Sequence, residues 1–376
     1  PKITAENVEE WADTAFEGLV SDKRISGAVV SVVHKNKTIF ARGYGLGNAE
    51  TGAPVSPDRT RFLIGSTTKT FTATLIARLI ASIDDPANLY LKRIQLPDND
   101  GTAITIRHLA THTAGFEDKF SGISSRRPIS LPASPEALNA VRPAYVRAAG
   151  DHVVYSNFGI AVLGALIEDV TGKPITQAMK SELFLPLNME NTELAVSVTR
   201  PDHMGIPVMF SRDGTTGPLP YHAISPVIAP AGAIVTTAHD MARYMNAQLS
   251  GDQISDTMRN LLHHRHAQNA PQVNGLGLAF FIGEWNKEKV VGHGGNWPGF
   301  HTWMTLLPEQ DAGVFISLMG APAPQSFSEQ IAALWQKPNT TPPLVTSAAG
   351  LNNDFLIRFL GERKQEAPDI SITDLH

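Results

Sequence analysis

Gly27-Ala28-Val29-Val30-Ser31-Val32-Val33-His34, then Lys35-Asn36-Lys37, then Thr38-Ile39-Phe40-Ala41-Arg42-Gly43-Tyr44: two runs rich in β-branched and aromatic residues around a short polar stretch predict a β-hairpin. Before it, Val8, Trp11, Ala12, Ala15, Phe16 and Leu19 recur at helical spacing, so residues 5–20 are expected to form one amphipathic helix. Beyond it, residues 66–83 carry Phe71, Leu75, Ile76, Leu79 and Ile80 as an apolar stripe and predict a deeply buried helix. Residues 84–268 hold helical patches at 105–112, 158–171, 176–183 and 237–249, separated by Pro- and Gly-rich connections with few strand signals. Strand patterns return at 277–283, 289–291, 301–307 and 313–319, with a last helical stretch at 325–335.

Strands at both ends around a helical middle make one architecture economical. It is an α/β fold of the α+β kind: an antiparallel sheet from N- and C-terminal strands, flanked by helices, with a mostly helical inserted domain. The expected division is a sheet-and-helix domain of residues 1–83 plus 269–337, an inserted domain of 84–268, and a C-terminal tail of 338–376, weakly helical at 352–361 and without an assigned role.

Composition removes several kinds of function. Lys and Arg number 31 against 36 Asp and Glu, a net charge of −5, and no stretch gathers basic residues as a phosphate-tracking surface would, so nucleic acid is not an expected partner. With no cysteine there is no disulfide, thiolate nucleophile or thiolate-held metal. At 42% hydrophobic and 18% charged residues the chain is expected to fold compactly, and no apolar run reaches the ~18 residues of a membrane helix. The sequence begins at Pro1 without a charged-then-apolar leader, which reads as a mature or trimmed product.

Some motifs mislead. Gly43-Tyr44-Gly45-Leu46-Gly47 follows a strand like a dinucleotide loop, but Thr51-Gly52-Ala53-Pro54 follows it, so a tight turn is expected rather than a helix. His108 and His112 have a metal-compatible spacing without the glutamate that would activate a zinc-bound water, and His263, His264 and His266 read as solvated; no metal is assigned.

The chemistry is carried elsewhere. Ser66-Thr67-Thr68-Lys69 opens the buried helix, and residues three apart share a helical face, so the Lys69 amine can lie beside the Ser66 hydroxyl as a nucleophile and base. Unpaired N–H groups at a helix start also favour the negative charge that develops in acyl transfer. The bland alternative is a capping serine with a solvated lysine. A serine–lysine pair calls for a further proton carrier, and Tyr155-Ser156-Asn157, just ahead of a helix, is placed for a cleft, whereas Tyr244 and Asn246 lie inside an amphipathic helix where a core or surface role is expected. Gly292-His293-Gly294-Gly295-Asn296-Trp297-Pro298-Gly299 lies between two strand candidates, where glycines let a substrate backbone approach and a backbone N–H can complete an oxyanion hole; a Gly-rich hairpin with an exposed histidine fits the same pattern.

In their order and spacing, Ser66 to Lys69, Tyr155 to Asn157 and His293 to Gly295 resemble the three motifs of the penicillin-recognising serine hydrolases. The similar branch is the class C β-lactamase-like one, with its DD-peptidases, D-aminopeptidases, amidases and β-lactamase-fold esterases. Residues 104–115, 162–172, 185–189 and 231–241 are similar to further family segments, and the resemblance spans roughly residues 5–336. It implies that Ser66 is acylated, that Lys69 and Tyr155 manage its proton, and that Asn157 orients Lys69 and the substrate amide. It also implies that His293, Gly294 and Gly295 line the cleft, and that the Ser66 and Asn296 backbone N–H groups hold the oxyanion. No cofactor is implied; the partner is a small-molecule or peptide substrate, and the compartment is the periplasm or the exterior, with the cytoplasm as the alternative. Two departures stand out: His293 occupies a position where β-lactamases of this class carry Lys, so β-lactamase activity is expected to be weak at most, and a few residues with a Gly-Lys turn are missing near Ser82. The expected activity is ester or amide hydrolysis through acyl-Ser66. Acyl transfer, or a non-catalytic penicillin-binding sensor or scaffold, are the alternatives.

Overall fold

The computed structural model describes residues 3–97, 101–118, 124–125, 135–210, 216–285 and 288–320. Its elements run α1 (Ala5–Ser21), β1 (Ile25–His34), β2 (Lys37–Gly45), β3 (Phe62–Leu63), α2 (Thr68–Leu79), α3 (Ile106–Ala110), β4 (Ser124–Ser125), α4 (Leu138–Val141), α5 (Asn157–Thr171), α6 (Ile175–Met179), β5 (Glu193–Leu194), β6 (Val208–Phe210), β7 (Thr216–Pro218), β8 (Ala223–Ile224), β9 (Ile234–Thr236), α7 (Ala238–Leu249), α8 (Asp256–His263), β10 (Gly275–Leu276), β11 (Phe281–Trp285), β12 (Glu288–Trp297), β13 (Phe300–Leu307) and β14 (Ala312–Gly320).

The hairpin forms, with Lys35 and Asn36 alone at its tip, both at positive φ as a two-residue turn requires. Seven strands make the main antiparallel sheet, ordered β10-β11-β12-β13-β14-β1-β2. β14 lies against β1, with Val30 opposite Ile316, so strands far apart in the sequence are neighbours in one sheet. Because side chains alternate across a strand, β1 feeds two cores. Ala28, Val30 and Val32 meet Trp11, Phe16 and Leu19 of α1, while Val29 and Val33 face the large core that holds Phe71, Tyr244 and Phe315. Full burial of each such side chain is worth about 1.5–3 kcal/mol, which explains why the strand is apolar on both faces.

Several expectations need correction. The helix expected over 66–83 is a single-turn 3-10 segment, Gly65–Thr67, followed by α2, and Ile80 is already extended. Beyond it, the carbonyls of Ile83 and Asp85 accept hydrogen bonds from the N–H groups of Arg107 and Ile106, satisfying two of the free donors at the start of α3. Two strands of the middle, β5 and β9, form a small sheet with β3 from ahead of it, and strands of two or three residues are too short to show alternation. The Gly-rich segment expected between two strands lies within β12 instead. His263 ends α8, buried against Gln248, and His266 contacts Arg107 and the Leu261 carbonyl, so neither is a solvated histidine. α7, within the 84–268 stretch, packs on β1, β2 and β14. The helices expected at 325–335 and 352–361, and the tail, lie outside the described residues.

Among the described residues, no helix is long and apolar enough to cross a membrane. Behind the cleft, α5 packs on the 3-10 turn Ala229–Ala231, and Gly164 makes that approach possible: a Cβ there would lie 2.2 Å from Pro230 Cγ. Gly164→Ala is therefore expected to destabilise the protein by about 1–3 kcal/mol through overpacking. Thermal denaturation checks this; an unchanged midpoint would show that the two elements separate freely.

Candidate active site

The turn before α2 is placed by two neighbours. On one side, Ile64 N–H donates to the Ile234 carbonyl of β9 (3.0 Å) and Ile234 N–H donates to Thr68 Oγ1 (3.1 Å). On the other, β12 approaches so closely that a Cβ on Gly295 would lie 1.9 Å from the Ile64 carbonyl oxygen, and one on Gly65, at φ +51°, would lie 2.8 Å from the Asn296 nitrogen. Only glycine fits either place. The result sets the Asn296 backbone beside Gly65–Ser66, at the floor of a cleft of about 470 Å³. Ser66, Asn157, Ile224, Ile228, Trp297 and His301 are among its lining residues.

Ser66 is partly open to this cleft, whereas Lys69 behind it is wholly buried. The Lys69 Nζ lies 2.8 Å from Ser66 Oγ and donates to the Ala231 carbonyl oxygen at 2.6 Å. Burial disfavours the ammonium form and pulls its pKa down to about 7, although the charge of Asp118 opposes the shift.

Tyr155 completes the group. Its ring lies 4.9 Å from Lys69 Nζ, and its hydroxyl is hydrogen-bonded to Ser66. The residue is half-buried, and burial of the hydroxyl raises its pKa well above the usual phenol range, so the group stays protonated at neutral pH. The expected neighbourhood of Ser66, Lys69 and Tyr155 is thus formed.

His293 differs from expectation. It is only 2% exposed and is not among the residues that line the cleft; its ring stacks on Phe281 at 4.4 Å and lies 6.3 Å from the Tyr155 ring, with Nδ1 2.5 Å from the Gly294 carbonyl oxygen. The alternation of β12 sends the side chain of His293 to the face that also carries Gly295, toward the buried lysine. Burial and the Lys69 charge hold its pKa well below the usual 6.5, so the imidazole is neutral. Gly294 has no side chain to present, since a Cβ there would strike the Trp303 ring at 2.3 Å.

Asn157 also differs. Its side-chain amide donates to Asp118 Oδ2 at 2.8 Å and its backbone N–H donates to Asp118 Oδ1 at 3.1 Å, so it is held by Asp118 rather than bonded to Lys69.

Two residues near the site had no catalytic reading in the sequence. Asp118 lies in a loop whose placement no local pattern fixes. His112, weighed only as a metal candidate, sits at φ +57° and brackets Tyr155: its carbonyl accepts from Val154 N–H (2.8 Å), its Nδ1 accepts from Ser156 N–H (3.2 Å), and its ring lies 4.5 Å from the Tyr155 ring. Its signal was the turn residues Thr113-Ala114-Gly115 directly after a helix that ends at Ala110. His108, its supposed metal partner, instead caps α3 by accepting the Thr105 N–H at Nδ1 (3.2 Å).

A titration of Lys69 followed by NMR of isotope-labelled lysine is expected to show a midpoint near pH 7, with His112 neutral down to about pH 3 because burial lowers it. A Lys69 midpoint near the ~10.4 of a free lysine would contradict the buried geometry.

Comparison with known proteins gives a consistent picture. A family model described as Beta-lactamase matches residues 12–337. The chain is 26% identical over 374 residues to the D-alanyl-D-alanine-carboxypeptidase/endopeptidase AmpH of Escherichia coli (strain K12), covering 93% of each chain. Its fold is similar to that of the octameric penicillin-binding protein homologue from Pyrococcus abyssi, with a TM-score of 0.75 and 23% identity over 88% of this chain and 78% of that one. It is also similar to a D-stereospecific amidohydrolase from Streptomyces sp., with a TM-score of 0.66 and 23% identity over 85% and 95% of the two chains.

Proposed function

The chain belongs to the Beta-lactamase family, and from that premise we propose that it is a serine hydrolase cleaving an ester or amide bond through an acyl-Ser66 intermediate, with D-amino-acid peptides and amides as its leading substrate class. The observation that carries this is the wholly buried Lys69 amine 2.8 Å from Ser66 Oγ.

Each step has an assigned group. Above about pH 7 Lys69 is neutral, and its Nζ takes the hydroxyl proton as Ser66 Oγ attacks the substrate carbonyl. The backbone N–H groups of Ser66 and Asn296 stabilise the oxyanion, an arrangement supported by their placement on the cleft floor. Tyr155 cannot act as a phenolate base at neutral pH, because its proton is held too tightly. It serves as a relay: its hydroxyl proton passes to the leaving nitrogen or oxygen and is replaced by the proton that Lys69 took from Ser66. Water then attacks the acyl carbon, losing its proton along the same route, and Ser66 Oγ is released as the hydroxyl. Proton and acyl transfer need no cofactor.

His293 contributes a neutral, buried ring beside Lys69, and the open backbone of Gly294 and Gly295 lies along the substrate. The substrate site extends over Ile224, Ile228 and Trp297, where uncharged groups predominate. The compartment proposed is the periplasm or the exterior, with which a chain without cysteine is compatible.

Ser66→Ala is expected to abolish both turnover and labelling by an active-serine phosphonate; survival of either would remove Ser66 from its role. Intact-mass measurement after exposure to a penicillin, a nitrophenyl ester and a D-Ala-D-Ala peptide should reveal the acyl adduct on Ser66 and so the preferred substrate class. The acylation rate should rise as pH rises through about 7, since the base is the form of Lys69 that has lost its proton. An inflection that vanishes in a His293→Gln variant would assign the titration to the imidazole instead.

A further inference from the structure

We propose that Asp118 is a positioning residue of this site: its carboxylate fixes the Asn157 amide at the cleft wall and supplies the negative charge against which the buried Lys69 is balanced. This rests on the reading of Ser66 and Lys69 as nucleophile and base.

The geometry is two-pronged. One Asp118 oxygen accepts the Asn157 side-chain amide (2.8 Å) and the other accepts the Asn157 backbone N–H (3.1 Å). That backbone N–H opens α5, a helix of 15 residues, so the carboxylate also sits at the positive end of a helix dipole. The Asn157 side chain, which lines the cleft, is therefore oriented by a charged acceptor. Turned this way, its amide nitrogen is engaged with Asp118 and its carbonyl oxygen is left for the rest of the cleft.

The same carboxylate acts on the lysine through space. Lys69 is faced by Ser66 Oγ, the Ala231 carbonyl, the Tyr155 ring, and the imidazoles of His112 and His293, which carry no charge at neutral pH. Asp118 supplies the negative charge that favours its ammonium form. Burial alone would hold the lysine neutral further into the acid range; Asp118 brings its titration back toward neutrality, so that the proton taken from Ser66 Oγ has a stable resting place during acylation.

Two measurements test this. In Asp118→Asn the Lys69 titration, read by NMR of labelled lysine, should move to lower pH, and the acid limb of the fluorophosphonate labelling rate should move with it. A merely structural role would lower the rate without moving the midpoint. On a nitrophenyl ester, Asp118→Ala and Asn157→Ala should each reduce kcat/KM by about 10- to 100-fold, and the double variant should be no worse than the more severe single one. Additive losses, or an unmoved Lys69 midpoint in Asp118→Asn, would overturn the proposal. Wild-type protein that resists labelling at Ser66 would instead overturn the serine-hydrolase reading, while the NMR midpoint would still report on Asp118. Should Asp118→Ala fail to fold, the isosteric Asp118→Asn still decides the matter.

Discussion

A primary amine with no exposed surface is the constraint around which the site is built. An ordinary lysine keeps its charge in water; Lys69 has been moved from water into a helix packed on all sides, where the charged form is disfavoured. Such a placement survives only if the amine has partners. They are Ser66 Oγ and the Ala231 carbonyl, one at the cleft and one on the turn that precedes β9. The surrounding threonines of α2 spend their hydroxyls on carbonyls, Thr70 on Thr67, Thr72 on Pro230 and Thr74 on Thr70, so burial of this polar helix leaves few groups unsatisfied.

The partners stay in place because three separate parts of the chain meet there. β3 and β9 clamp the turn from one side, β12 presses on it from the other, and the His112 turn holds Tyr155. Glycine at 65 and 295 permits the second contact, and the two-sided burial of β1 and β14 makes the sheet rigid enough to hold it. In this way an association between β1 and the distant β14, driven by apolar burial, supports a distance of 2.8 Å between a hydroxyl and an amine.

Long periodic segments were legible beforehand: α1, the β1–β2 hairpin, α5 and α7 each carry enough residues for a period to show. The closeness of Ser66 and Lys69 was legible because helical spacing puts residues three apart on one face, and Tyr155 stood out by its place just ahead of α5. The orientation of the other two side chains was not. The sequence pattern suggests a His293 that faces the cleft, but the strand continues through Gly292 to Trp297 and the ring is enclosed between Phe281 and the Tyr155 ring. Asn157 was expected to orient Lys69, yet its side-chain amide donates to Asp118, from a loop with no periodic signal.

Replacing a cation by a neutral, enclosed imidazole in the third motif has an electrostatic consequence for the whole cleft. Among the described lining residues no side chain carries a charge at neutral pH, because burial also lowers the pKa of His301. The charged groups near the nucleophile, Lys69 and Asp118, work beneath or beside the cleft rather than as ligands at its mouth. On the proposed mechanism, proton transfer is therefore separated from substrate recognition. The first depends on a buried amine tuned by a carboxylate, and the second on backbone groups of β12 and on uncharged walls formed by Ile224, Ile228 and Trp297. Loop changes around those walls can alter which ester or amide fits while the chemistry at Ser66 stays the same, since nothing in the walls contributes to the balance that sets the Lys69 proton.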